Sequence, residues 1–91
     1  MSESEVARLR REITKRYIPQ KGDICRWPYQ KVEYVQEYDG HYWSKPMDVK
    51  DLANADPARY ARVMRLDREP ERYELVHRKK RHRKVYYREK A

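Results

Sequence analysis

The residues whose chemistry stands out form a block of cations near the C-terminus. Residues 77–84 read HRKKRHRK, six Lys or Arg and two His without an apolar side chain. Such a block cannot be buried, and its members repel one another, so it gains most by displacing counterions from a phosphate backbone. The sequence therefore predicts nucleic-acid contacts by this run and by one arginine beyond it: Arg78, Lys79, Lys80, Arg81, Arg83, Lys84 and Arg88.

The distribution of charge along the chain supports a polyanionic partner. The net charge is +8, and residues 71–91 carry nine basic and three acidic side chains. Residues 1–22 have a balance of +3, whereas residues 23–70 are nearly neutral at −1. A concentration of charge at the chain ends is typical of polyanion binding, whereas a solubilising surface mixes both signs evenly.

Aromatic side chains form the second group of candidates. Tyr34, Tyr38 and Trp43 are predicted to share one face of a hairpin, where they can stack on unpaired bases or form the core. The core is the preferred interpretation, because the chain has few other residues from which to build one. Trp27 and Tyr29 flank Pro28 and can serve either the core or a protein interface.

Catalytic, metal and cofactor sites are not expected. Cys25 is the single thiol, no C-x-x-C or H-x-x-x-H spacing occurs, and the histidines are dispersed. Gly22 and Gly40 are isolated, so no glycine-rich phosphate loop is present. We therefore expect a non-enzyme without metal, cofactor or small-molecule substrate.

An amphipathic helix is predicted over residues 3–17. Val6, Leu9 and Ile13 form an apolar stripe, the pair Ser2 and Glu5 fits a capping box, and a proline at position 19 ends the helix. The stripe either covers the aromatic hairpin face or docks on another protein.

A small antiparallel sheet is predicted for the middle of the chain. Residues 23–27 resemble a strand ended by Pro28, and residues 31–38 alternate in polarity before Asp39-Gly40. Asp-Gly favours a two-residue hairpin loop, which would place Tyr38 opposite His41 and Gln36 opposite Trp43 in a return strand over residues 41–44.

Two short helices and a basic terminal element complete the predicted fold. Asp48 can cap a short turn, and Asp56-Pro57 begins a helix over residues 57–67. Residues 71–91 fit either a hairpin, with strands near 72–77 and 83–88 and a basic tip, or one long helix. The expected class is α+β, one domain over residues 1–91 with parts at 1–18, 22–70 and 71–91.

The amino-acid composition indicates how stable the fold can be and in which compartment the protein is expected. Leu, Ile, Val and Phe together make up about 15% of the chain, so little core is available. One cysteine suggests a reducing intracellular compartment, and no apolar run is long enough for a membrane span.

The favoured hypothesis is a binder of nucleic acid, RNA rather than DNA, within a larger ribonucleoprotein. The alternative is an accessory structural subunit of a protein assembly, for example a mitochondrial or viral one, that uses its Tyr, Trp and Arg side chains as an interface.

Overall fold

The computed structural model describes residues 17–90, which form a five-stranded antiparallel sheet and two helices. The strands are β1 (Ile24–Tyr29), β2 (Val32–Glu37), β3 (Met47–Asp48), β4 (Tyr73–Lys79) and β5 (Lys84–Glu89), and the helices are α1 (Val49–Ala55) and α2 (Pro57–Arg65). The order across the sheet is β3-β2-β1-β5-β4. The α+β class is therefore confirmed. The predicted N-terminal helix with its stripe Val6, Leu9 and Ile13 lies outside the described residues.

Both helices begin where their capping residues predict. The Asp48 carboxylate accepts a hydrogen bond from the Lys50 N–H at 2.8 Å, and the Asp56 carboxylate accepts one from the Arg59 N–H at 3.1 Å. Each bond satisfies a backbone donor that a helix leaves free in its first turn. Pro57 follows Asp56 at the first helical position, where its missing N–H costs nothing.

The core lies on one face of the sheet, beneath α1 and α2. Its buried members are Ile24, Val35, Val49, Leu52, Val63, Leu66 and Tyr73. The expectation that the chain has few residues besides the hairpin aromatics from which to build a core is therefore wrong. Aliphatic side chains that are sparse in the sequence converge here, because the strand register and both helices bring them to the same face.

The turn between β1 and β2 lies at Gln30-Lys31. Tyr29 pairs with Val32, and both turn residues have positive φ, 49° and 65°, as a type I′ turn requires. The prediction that Pro28 ends the first strand is wrong, because β1 continues to Tyr29. Pairing of β5 with β1 extends only to Arg26, so Pro28 has one neighbouring strand and its missing N–H is tolerated.

The chain does reverse at Asp39-Gly40, but with a different register from the predicted one. Gly40 has φ +105°, and Tyr38 pairs with Trp43, where His41 was expected. The Asp39 carboxylate accepts hydrogen bonds from the backbone N–H groups of His41 and Tyr42, both at 2.7 Å. These bonds stabilise a four-residue loop in place of the two-residue one. The return segment forms an isolated bridge instead of a strand.

The C-terminal element is a hairpin, which confirms one of the two predicted alternatives. β4 and β5 pair from Tyr73 opposite Glu89 to Lys79 opposite Lys84, with an irregularity between Leu75 and His77. A short turn, Arg81–Arg83, connects the strands, with His82 at φ 64°, outside helical geometry. Within residues 17–90, no helix combines the length and apolar character needed to cross a membrane.

Candidate nucleic-acid interface

The sheet has an open face opposite the helices. Strand register places side chains from four strands on it, among them Trp27, Tyr34, Lys84 and Lys79. At its centre Cys25 and Tyr86 are buried, because Trp43 packs on Tyr86 with ring centroids 5.6 Å apart. Neither α1 nor α2 reaches this face, but Tyr17 packs there on His77 and Tyr86, with ring centroids 5.0 and 4.9 Å apart. Within the described part of the molecule, the side chains left to a ligand therefore lie toward the end where β1 turns into β2.

Four side chains cross the open face in one line, which we call the aromatic–lysine row: Tyr34, Trp27, Lys84 and Lys79. Tyr34 and Trp27 are cross-strand partners whose rings lie 5.9 Å apart at 23° to one another. The Lys84 Nζ lies 4.8 Å from the centroid of the Trp27 ring, and Lys79 is the partner of Lys84 on β4. The row therefore runs from two rings to two ammonium groups. Tyr29, 53% exposed, extends the aromatic part, with its ring 6.5 Å from that of Tyr34.

Next to the row, two turns meet at one end of the sheet. The β4–β5 turn carries cations of the predicted run, and the β1–β2 turn contributes Lys31. Between them lies an open cleft of about 410 Å3, lined by Pro28, Tyr29, Gln30, Lys31, Lys80, His82 and Arg83. We call the cations in and next to the β4–β5 turn the basic tip: Lys79, Lys80, Arg81, Arg83 and Lys84.

The backbone of both turns is strained. Gln30, Lys31, His82 and Arg83 have φ between 49° and 65°, a region that disfavours residues with a side chain. These four are the non-glycine residues with positive φ within residues 17–90. Glycine or asparagine adopts this conformation at a lower cost, so the residues present here reduce the stability of both turns. Such local strain is commonest at functional sites.

The basic tip carries charge that the rest of the described structure does not neutralise. Within residues 17–90, the ion pairs are formed by Arg26, Arg59, Arg62, Arg72 and Arg88. No described carboxylate lies within 4.0 Å of a basic group of the tip. Arg78 belongs to the predicted run but pairs with Val85, which places it on the helix-covered side of the sheet.

Arg88 differs from the other predicted phosphate contacts. Its Nε and Nη2 donate hydrogen bonds to the fully buried Asp23 carboxylate at 2.8 and 3.0 Å. Burial alone would raise the pKa of Asp23, but the hydrogen bonds from Arg88, Tyr17 and the Gln20 N–H lower it overall. The ion pair also raises the pKa of Arg88. Since this guanidinium binds a buried carboxylate, we do not include Arg88 in the proposed interface.

The structure separates the predicted aromatic trio. Tyr34 belongs to the row with Trp27 and Tyr29, which the sequence suggested as core residues or protein anchors. Tyr38 packs on Trp43, with centroids 5.2 Å apart, at the other end of β2. The Trp27–Tyr34 contact depends on the Gln30-Lys31 turn, which has no recognisable turn dipeptide, so the sequence carried no local signal for it.

A second, larger cleft offers less to an anion. It has a volume of about 520 Å3 and is lined by Glu37, Tyr38, Asp39, Ser44, Asp56, Ala58, Arg59 and Arg62. Arg59 and Arg62 both approach the Glu37 carboxylate, at 3.0 and 2.5 Å. The cleft is lined by three carboxylates, Glu37, Asp39 and Asp56, and two guanidinium groups, whereas no described carboxylate lies within 4.0 Å of the cations of the basic tip.

The buried thiol and tyrosine at the centre of the open face show no sign of activation. Burial raises the pKa of Cys25, so its thiol stays protonated near neutral pH. Burial and the neighbouring Cys25 raise the pKa of Tyr86 to about 12. Residues 17–90 contain no group of three or more His, Cys, Asp or Glu side chains arranged to hold a metal.

Comparison with known proteins gives no guide to the activity. No protein-family model matches the chain, and no curated protein sequence or solved structure matches it significantly.

Proposed function

We propose that this protein is a non-catalytic nucleic-acid-binding component of a larger ribonucleoprotein, and that the basic tip contacts phosphates. The observation that carries the proposal is the concentration of five cations at one end of the sheet, without a described carboxylate near them. Each cation that neutralises a phosphate releases condensed counterions, which drives binding without reading sequence.

The arrangement around the basic tip favours a phosphate backbone over a single small anion. Cations lie on both sides of the open cleft, Lys31 on one turn and Lys80 and Arg83 on the other. This spread suits a chain of charges that passes between the turns. RNA is favoured over DNA, because the rings beside the tip can contact unpaired bases, which RNA presents in its loops and bulges.

The test compares two variants with equal loss of charge. In the tip variant, Lys79, Lys80, Arg81, Arg83 and Lys84 are replaced by Gln. In the control variant, five exposed cations elsewhere are replaced by Gln: Lys45, Lys50, Arg65, Arg68 and Lys90. Fluorescence anisotropy of a labelled RNA should show a large loss of affinity in the tip variant and a small one in the control.

Two results would count against the proposal. Equal losses in both variants would mean that net charge, and not the basic tip, determines binding. Absence of RNA and DNA binding by the wild-type protein, together with a nuclease-resistant assembly purified from the native source, would favour the accessory structural subunit instead. The exposed Tyr29 beside Trp27 is the observation that keeps this alternative open, because aromatic side chains are enriched in protein interfaces.

A further inference from the structure

We propose that Tyr34 and Trp27 form a stacking platform for unpaired bases, so that the protein prefers single-stranded to double-stranded nucleic acid. This inference rests on the proposed function and specifies its ligand. Base stacking on aromatic side chains tolerates any sequence, because every base has a π face.

The geometry of the two rings suits such a platform. They lie on neighbouring strands, are inclined by 23° and have centroids 5.9 Å apart, so the rings stack on one another and a base would extend this stack at its outer faces. Both side chains are half-buried, and Tyr29 extends the surface toward the cleft. Because the rings project from paired strands, little conformational freedom remains to be lost on binding.

The charges beside the platform match an extended single strand. Lys84 and Lys79 continue the aromatic–lysine row on the next two strands, and the other cations of the basic tip lie beyond them. Bases on the rings would therefore leave their phosphates close to ammonium groups. Register places three carboxylates at the open face. Asp23 and Glu74 lie toward the opposite end, and Asp23 is bound by Arg88. Asp48 is the partner of Tyr34 on β3, where its carboxylate accepts a hydrogen bond from the Lys50 N–H.

A duplex cannot use the platform. The faces of its bases are covered by stacking within the helix, so a duplex can contact the cations alone. Single strands gain both interactions. The Lys84 ammonium over the Trp27 ring does not prevent this, because a phosphate offers it a stronger partner than the ring does.

The chain contains two tryptophans, which permits a direct test. In a Trp43→Phe variant all tryptophan emission comes from Trp27. An oligouridylate of about 12 nucleotides, within the usual site size of such surfaces, should quench this emission, whereas an RNA duplex of similar length should bind without quenching. Acrylamide should quench Trp27 in the free protein. A Trp27 shielded from acrylamide would show that residues 1–16 or another copy cover the ring, and would overturn the proposal.

Affinity measurements separate this inference from the proposed function. Trp27→Leu with Tyr34→Leu should weaken binding of the oligouridylate about 10-fold or more and leave duplex binding unchanged. The control is Tyr42→Leu, since Tyr42 is 77% exposed and lies in the 39–42 loop. Unchanged affinity with a normally folded variant, or quenching absent despite binding, overturns the platform but leaves phosphate binding intact. If the tip variant loses binding to both the oligouridylate and the duplex, and the variants of the rings keep duplex binding, the proposed function is supported whatever the outcome for the platform.

Discussion

Replacing Arg88 by Gln should lower the free energy of unfolding of the protein without weakening its binding to nucleic acid. The wild-type guanidinium makes two hydrogen bonds to Asp23, which is 0% exposed and also accepts from the Gln20 N–H and the Tyr17 hydroxyl. The variant leaves a buried carboxylate without its counterion. Removing one partner of a buried ion pair costs about 3–5 kcal/mol.

Removing the other partner of the ion pair should lower the free energy of unfolding by less, so the two variants together test the expected magnitude. Asp23→Asn leaves a charged Arg88 whose side chain is 27% exposed, so water can partly hydrate it. We therefore expect Asp23→Asn near the lower end of the range, about 3 kcal/mol, and Arg88→Gln above it. For a domain of this size, about 3 kcal/mol corresponds to a drop in Tm of roughly 12 °C or more. The double variant should lose less than the sum of both single losses, because it leaves no unpaired charge.

The pH dependence follows from the direction of the Asp23 pKa. In the wild type this pKa is lowered, so the pair stabilises the fold fully above the unfolded value of about 3.9 and loses its effect as pH falls through the folded value. In Arg88→Gln the hydrogen bonds from Tyr17 and the Gln20 N–H remain, but burial, the largest influence on this carboxyl, is no longer opposed by Arg88, so we expect the pKa of Asp23 to rise above its ordinary value. Lowering the pH from neutral toward about 4 should therefore reduce the difference in the free energy of unfolding between the variant and the wild type.

Denaturant unfolding at several pH values measures these differences, and RNA anisotropy measures binding. The matched comparison is Lys79→Gln, which removes the same charge from the basic tip. The reasoning is refuted if Arg88→Gln melts like the wild type while losing as much affinity as Lys79→Gln. Arg88 would then belong to the interface, as the sequence suggested.

Three further predictions concern the tip and the turns. With five tip cations on a single strand, the slope of log Kobs against log salt should be about −3.5, and a slope near zero would exclude phosphate contacts. Lys31→Gly should stabilise the fold by about 1 kcal/mol because it relieves a positive φ, yet should weaken RNA binding; an unchanged Tm would show that the turn is unstrained. Gly40→Val should destabilise by about 1 kcal/mol or more, because φ is +105° there although the nearest neighbour, the Lys21 Cβ, leaves room at 3.6 Å. A melting temperature equal to that of the wild type would contradict this.

Local chemistry in the sequence predicted those elements whose signals are short-range. Asp48 and the Asp56-Pro57 pair begin helices, because a carboxylate satisfies free backbone donors wherever it precedes a helical turn. The basic run was predicted to be exposed, because eight consecutive polar side chains cannot enter a core, and the tip of a hairpin was one of the two predicted alternatives for it. These inferences needed no knowledge of the distant chain.

Strand pairing could not be predicted in the same way. The β1–β2 turn uses Gln30-Lys31, whose residue types indicate no turn, whereas Asp39-Gly40 indicated a tight hairpin and formed a four-residue loop. The difference lies in the Asp39 side chain, which binds two backbone N–H groups. Without the correct register, the contact between Trp27 and Tyr34 could not be predicted. The ion pair of Arg88 could not be predicted either, since its partner Asp23 is 65 positions away in the chain.

The positions of the ion pair and of the basic tip suggest how the fold tolerates its strained turns. Asp23 and Arg88 join the start of β1 to the end of β5, whereas Gln30, Lys31, His82 and Arg83 lie at the opposite ends of the strands. Strained backbone persists only where the surrounding structure fixes it. The helix-covered core and the buried ion pair supply that constraint away from the turns. The strained end can therefore carry the basic side chains for which we propose a role in binding, and the proposed stacking platform lies between this end and the ion pair.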